Sequence, residues 1–192
     1  MIAARATRVG APALVTVVGG AAVVRSVTGG ASPAASPSAA LLFSALLLLA
    51  ALLGGMRPSW IPWRAVGIGV AGAAALVALS LVGVPTVVIG ARAAAGSLLW
   101  WMPLVSLVAA AEELVLRGVL FDAVRERGGV AAAVGVTAVL FAVIHLPLYG
   151  FGSLALDVCV GVLLGCLRVI SGTVAAPLIA HVLADLATGW VG

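Results

Sequence analysis

Six carboxylates occur in the chain, and two of them, Glu112 and Glu113, stand side by side inside a long apolar stretch. A charge at the centre of a membrane helix costs ~2.5–3.5 kcal/mol on insertion scales. Adjacent acids in hydrocarbon are therefore hard to explain as packing. Arg117 follows Glu113 by four residues, so the two share a helical face and can pair. Glu112 points ~100° away from Glu113 about the helix axis, free to face a cavity. The chain's two histidines, His145 and His181, also lie in apolar stretches. Phe141 precedes His145 by four residues, and Asp185 follows His181 by four, close enough to orient or pair with it. Residues of these types suit acid–base chemistry on an activated water, with a hydrogen-bond donor for the oxyanion that forms. In such a site Glu112 is the general base and Arg117 holds Glu113. His145 holds the same water and passes a proton to the leaving group, and His181 donates to the oxyanion.

The elements that must carry these side chains follow from composition. Hydrophobic residues make up 64% of the chain and charged residues 8%, against about 45–50% and 25% in soluble domains. This is the composition of a polytopic, all-α transmembrane bundle. The formal charge of +4 comes from ten arginines spread over the connections rather than clustered, which argues for membrane topology and against a nucleic-acid partner. Cys159 and Cys166 lie seven apart on one expected helix, about 10.5 Å along its axis, too far for a mutual disulfide.

Apolar blocks separated by Gly, Pro, Ser and Arg give about seven spans: 10–24, 38–56, 65–90, 93–125, 130–146, 151–170 and 174–191. The Gly-rich first block reads as a retained anchor rather than a signal peptide, and a count of six is the alternative. The fourth helix is expected to run to Arg125, with Gly128 and Gly129 breaking the chain before the fifth. Arg5, Arg8, Arg57, Arg64, Arg125, Arg127 and Arg168 fall on one side of this topology, Arg25 and Arg92 on the other. That asymmetry places the N-terminus in the cytoplasm of a multi-pass cell-membrane protein. Pro177, four residues before His181, is expected to free the carbonyl of Thr173 and kink the seventh helix. Asp157 fits no pattern and reads as a structural hydrogen bonder to a neighbouring helix. Arg168 reads as a topology anchor, and the tryptophans as interfacial belts.

Glu112-Glu113-Leu-Val-Leu-Arg117, Phe141-Ala-Val-Ile-His145 and His181-Val-Leu-Ala-Asp185 resemble, in order and spacing, the three motifs of the CPBP (Abi) family. That family comprises type II CAAX prenyl endopeptidases and bacteriocin-processing or immunity-associated membrane proteases. Its patterns are EExxxR, FxxxH and HxxxN or a close substitute. The resemblance covers roughly 100–192, and 1–95 match only as generic spans. It implies a catalytic membrane core over 96–192 behind N-terminal spans in 1–95. It further implies a peptidase acting on a membrane-associated or lipidated peptide, with Glu112, Glu113, Arg117, His145, His181 and Asp185 as site residues. Asp185 stands where the family more often has Asn. An ionised Asp cannot donate to an oxyanion, so here it is protonated or fixes the tautomer of His181.

A metal-free site with glutamate-activated water is favoured over a zinc site. In the latter Glu112, His145 and His181 would be the ligands, although their spacing is not that of H-E-x-x-H. Two other readings stay open. One is a non-catalytic binding or immunity protein of the same family. The other is a proton-coupled transporter, which would show inverted repeats that this chain lacks.

Overall fold

The computed structural model describes residues 9–29, 36–56, 60–83 and 98–191, and all regular structure among them is helical. Arg5, Arg8, Arg57 and Arg92, on which part of the orientation argument rests, lie outside the described residues, as does the expected boundary near residue 95.

The helices are α1 (Ala11–Gly29), α2 (Pro37–Leu53), α3 (Trp63–Gly83), α4 (Leu98–Glu113), α5 (Phe121–Tyr149), α6 (Leu154–Ser171) and α7 (Ala175–Val191), with a π-helical segment, Leu114–Leu120, between α4 and α5. Local chemistry sets their ends. Ser36 caps α2 by accepting from the Ala39 amide, and Pro37 occupies the first turn, where its missing N–H costs nothing. Gly172, at φ 70°, closes α6 in the left-handed conformation that only glycine adopts without strain. Gly129 has φ 78° and ψ −178° inside α5, so the chain break expected there exists as a sharp kink within a continuous helical run. Beyond it α5 continues through Pro147 to Tyr149, about one turn past His145.

Pro177 does not kink α7. The helix begins at Ala175, so the proline sits in its first turn, where no backbone donor is needed. The Thr173 carbonyl, expected to be orphaned, accepts the Ser171 hydroxyl instead.

Four helical stretches are long and apolar enough to cross a membrane: Ala11–Thr28, Trp63–Leu81, Leu99–Tyr149 and Phe151–Ser171. Pro37–Leu53 and Ala175–Ala187 are apolar but shorter. The described residues thus form an all-helical membrane protein, with four helical stretches long and apolar enough to cross a bilayer. Leu99–Tyr149 has 51 residues, ~76 Å if straight against a hydrocarbon core of ~30 Å. The bend at Gly129 is what lets so long a run fold back into the bundle.

Helix packing uses small residues as the contact points. α3 packs on α7, α5 on α6, α1 on α2, and α4 on both α2 and α7. A Cβ on Gly161 of α6 would lie 2.7 Å from the Ala138 Cα of α5, and one on Gly69 of α3 would lie 2.9 Å from the Ala176 carbonyl of α7. Lipid supplies no hydrophobic drive between helices, so close backbone approach of this kind is what dispersion packing requires. Phe43 and Leu47 of α2, Leu14 and Val18 of α1, and Val115, Leu116 and Leu120 fill the buried centre.

Gly161→Ala is expected to lower the unfolding temperature in detergent, at a cost of ~1–3 kcal/mol of overpacking. Gly135→Ala, where an added Cβ meets nothing within 4 Å, is its control and is expected to be neutral or slightly stabilising.

Candidate active site

The fully buried Arg117 is the anchor of the polar cluster. Its Nη1 donates to Glu113 Oε1 at 2.7 Å, and its Nη2 donates to the Gly161 carbonyl of α6 at 3.0 Å. The guanidinium also lies 4.9 Å from the centre of the Phe141 ring. From the other side, Arg168 Nε donates to the Arg117 carbonyl at 2.9 Å, while its Nη2 reaches Asp122 at 3.0 Å. The same Glu113 Oε1 accepts from His181 Nδ1 at 2.9 Å. Glu113 therefore ties the π segment to α7, and Arg117 ties it to α6. Asp185 Oδ2 stands 3.6 Å from His181 Nε2, so the expected pairing of these two residues is a close approach longer than a hydrogen bond.

Glu112 faces elsewhere. Its Oε2 lies 3.9 Å from His145 Nε2 and its Oε1 lies 3.6 Å from Arg25 Nη1. His145 Nδ1 is 2.8 Å from the Phe141 carbonyl. A carbonyl only accepts, so Nδ1 carries the proton, and in the neutral ring Nε2 presents its lone pair toward Glu112. Phe141 packs against both imidazoles, at 4.3 Å from His145 and 5.4 Å from His181 between ring centres. Tyr149 stacks on the far face of the site, 5.7 Å from His145. The structure thus brings Glu112, Glu113, Arg117, His145, His181 and Asp185 together around Phe141, with each carboxylate of the Glu pair facing a different histidine.

The wide turns of the π segment begin immediately after Glu113. One π turn takes up more residues than an α turn, so the faces of α4 and α5 are out of register across it. Helical arithmetic from the sequence therefore holds within α4 and within α5 but does not carry from one to the other across the segment.

Three polar residues behave differently from their sequence reading. Arg25, taken as an external loop residue, lies within α1, which runs on to Gly29; it is 6% exposed, with its guanidinium 4.8 Å from the centre of the Phe43 ring. A sequence signal exists, since Val27 continues the apolar pattern past it. Arg168, taken as an interfacial anchor, is buried against Arg117, Asp122 and the Phe121 ring. Asp157 accepts from Ser153 at 2.7 Å, one turn earlier in the chain and not on a neighbouring helix. Both cysteines are free thiols.

The three residues of the zinc alternative are placed as follows. Glu112 and His145 face each other, but His181 turns Nδ1 to Glu113 and Nε2 toward Asp185. No group of three His, Cys, Asp or Glu side chains among the described residues forms a metal-donor set.

Residues 94–187 match the family model described as type II CAAX prenyl endopeptidase Rce1-like. The matched stretch contains all three motifs and none of α1, α2 or α3. No curated protein and no solved structure matches the chain.

Glu113→Gln is expected to leave Arg117 as an uncompensated buried charge, lowering stability in detergent by ~3–5 kcal/mol. Adding Arg117→Gln is expected to restore part of that loss, as read by thermal unfolding of the single and double variants.

Proposed function

We propose, for a chain whose residues 94–187 match the type II CAAX prenyl endopeptidase Rce1-like family model, that it is a CPBP-type membrane protease and hydrolyses a peptide bond in a membrane-associated or lipidated peptide by water activated at Glu112. The observation that carries this reading is the facing of Glu112 Oε2 and His145 Nε2 at 3.9 Å. That separation is too long for a direct hydrogen bond and short enough for one water, ~2.8 Å from each, to bridge. A water donating one proton to the carboxylate and one to the imidazole lone pair directs its own lone pair outward, at a substrate carbonyl.

The step then runs as follows. Glu112 takes a proton as the water oxygen bonds to the carbonyl carbon, and the carbonyl π pair moves onto its oxygen. When the tetrahedral intermediate collapses, the C–N bond breaks and the amine leaves with a proton returned by Glu112 or relayed through His145. Glu113 works as support in this scheme. Its Oε1 is engaged by Arg117 and His181, so it holds α7 to the π segment and fixes the orientation of His181. Asp185 lies beside His181 Nε2 and helps set the protonation of that ring. Substrate reaches the buried pair past Tyr149 and Asp185, whose side chains are the more exposed members of the cluster.

The scheme uses no metal, consistent with the divergent aim of the two histidines. Its natural setting is a cell membrane, with the lipid bilayer and a membrane-held peptide as partners.

Cleavage of membrane-bound peptides by the purified protein in liposomes is the direct test. Glu112→Gln is expected to reduce hydrolysis by ~10²–10⁴-fold with expression little changed. Full activity in that variant removes Glu112 as the base. In the same assay, treatment with a chelator is expected to leave the rate unchanged; a loss reversed by added zinc would show that the site works with a metal.

A further inference from the structure

Two neighbouring acids raise a question of charge balance. Glu112 and Glu113 are both buried, and a buried carboxylate is tolerated when a countercharge or bonded donors compensate it. Glu113 has Arg117 and His181 on its Oε1. The other arginines of residues 94–187 are engaged elsewhere: Arg125 and Arg168 with Asp122, and Arg127 with the Ala123 carbonyl. The countercharge beside Glu112 comes instead from α1, where Arg25 Nη1 stands 3.6 Å from Glu112 Oε1. At that distance the contact is an ion pair rather than a direct hydrogen bond.

The pattern of α1 delivers that side chain. Its buried residues, among those described, are Leu14, Val18, Ala21 and Arg25, four and three apart in turn, so they form one stripe along the helix. Leu14, Val18 and Ala21 pack into the hydrophobic centre, and Arg25 is the polar end of the same stripe. Phe43 of α2 lies against the guanidinium, with its ring centre 4.8 Å away, and limits how that plane can turn. Glu112 gains an orientation from this contact. The last torsion of a glutamate is broad, and a cation held at Oε1 narrows it, leaving Oε2 turned toward His145 Nε2 at 3.9 Å.

We infer that Arg25 is a positioning residue for the reaction: it is the countercharge of Glu112, and by holding Oε1 it presents Oε2 to the water shared with His145. This rests on the reading of Glu112 as the base. It gives α1, which lies outside the stretch matched by the family model, a part in the chemistry that is exerted through Glu112 and needs no contact with the substrate.

The test compares wild type, Arg25→Gln, Arg25→Lys, Glu112→Gln and the double variant Arg25→Gln/Glu112→Gln in two measurements. The first is cleavage of one membrane peptide in liposomes, below the unfolding temperature of every variant. Arg25→Gln is expected to lower kcat by ~10²-fold with KM nearly unchanged, the loss that misplacing a reacting group brings. Arg25→Lys, which keeps the charge and loses the planar fork, is expected to recover part of it. The second is thermal unfolding in detergent. Each single Gln variant leaves its partner's charge buried alone and is expected to unfold at a lower temperature, and the double variant is expected to regain part of the difference. If Arg25→Gln fails to fold, recovery in the double variant supports the pairing, and failure of the double overturns it. Unchanged kcat in Arg25→Gln, with Glu112→Gln inactive, overturns the role of Arg25 and leaves the base intact. A raised kcat overturns it too, since Arg25 would then restrain the base. Equal losses in Arg25→Gln and Arg25→Lys overturn it in favour of packing, as do strictly additive changes in unfolding. Full activity in Glu112→Gln overturns the base reading, and the role of Arg25 falls with it.

Discussion

A fully buried arginine with its partner glutamate is the constraint from which the rest of the site takes its shape. Arg117 and Glu113 are both without solvent contact, and a charge in that position is tolerable only when its hydrogen bonds are made inside the protein. Each bond it makes joins a different element. Nη1 goes to Glu113 beside the π segment, Nη2 to the backbone of α6, and the backbone carbonyl of Arg117 receives Arg168. Glu113 passes the connection on to α7 through His181. The pair is best understood as a positioning device: it is weak evidence for stability, because desolvation offsets much of its attraction, and strong evidence for a fixed geometry.

The pair depends in turn on how closely the helices approach. The Gly161 carbonyl can accept from Arg117 because α6 lies directly against α5, a contact any Cβ on Gly161 would block at Ala138. Small residues thus serve packing and chemistry at one position. Phe141 plays a comparable double role, since one ring borders the Arg117 guanidinium and both imidazoles. Its carbonyl also fixes which nitrogen of His145 carries the proton. A single residue therefore sets both the spacing and the tautomer of the site.

With Glu113 committed to structure, the adjacent Glu112 is left facing His145 on one side and Arg25 on the other. Neighbouring residues on one helix point in different directions, so a doubled acid supplies two separate sites from one turn. This is the physical meaning of the Glu112–Glu113 pair, and it makes the two residues unequal despite their identical chemistry. The π segment that follows Glu113 separates the geometry of α4 from that of α5 and lets each present its own face to the bundle.

The sequence by itself determined what local chemistry controls. Apolar composition required a helical membrane protein, since only internal hydrogen bonding satisfies a backbone in hydrocarbon. The four-residue spacings of Glu113 with Arg117, Phe141 with His145 and His181 with Asp185 named the residues of the cluster, because one helical turn relates them whatever the fold. The glycine at 129 marked a break for the same local reason. Only the tertiary structure decided what depends on neighbours distant in sequence. It turned Arg25 and Arg168 from membrane-edge charges into buried ones, because whether an arginine near a span end meets lipid headgroups or a partner carboxylate is set by the helix packed beside it. It placed Pro177 in a first turn, where it bends nothing, because the start of α7 follows from the turn at Gly172. It assigned His145 to Glu112 and His181 to Glu113, since the pairing of side chains across helices follows from crossing and register, which no spacing within one helix encodes.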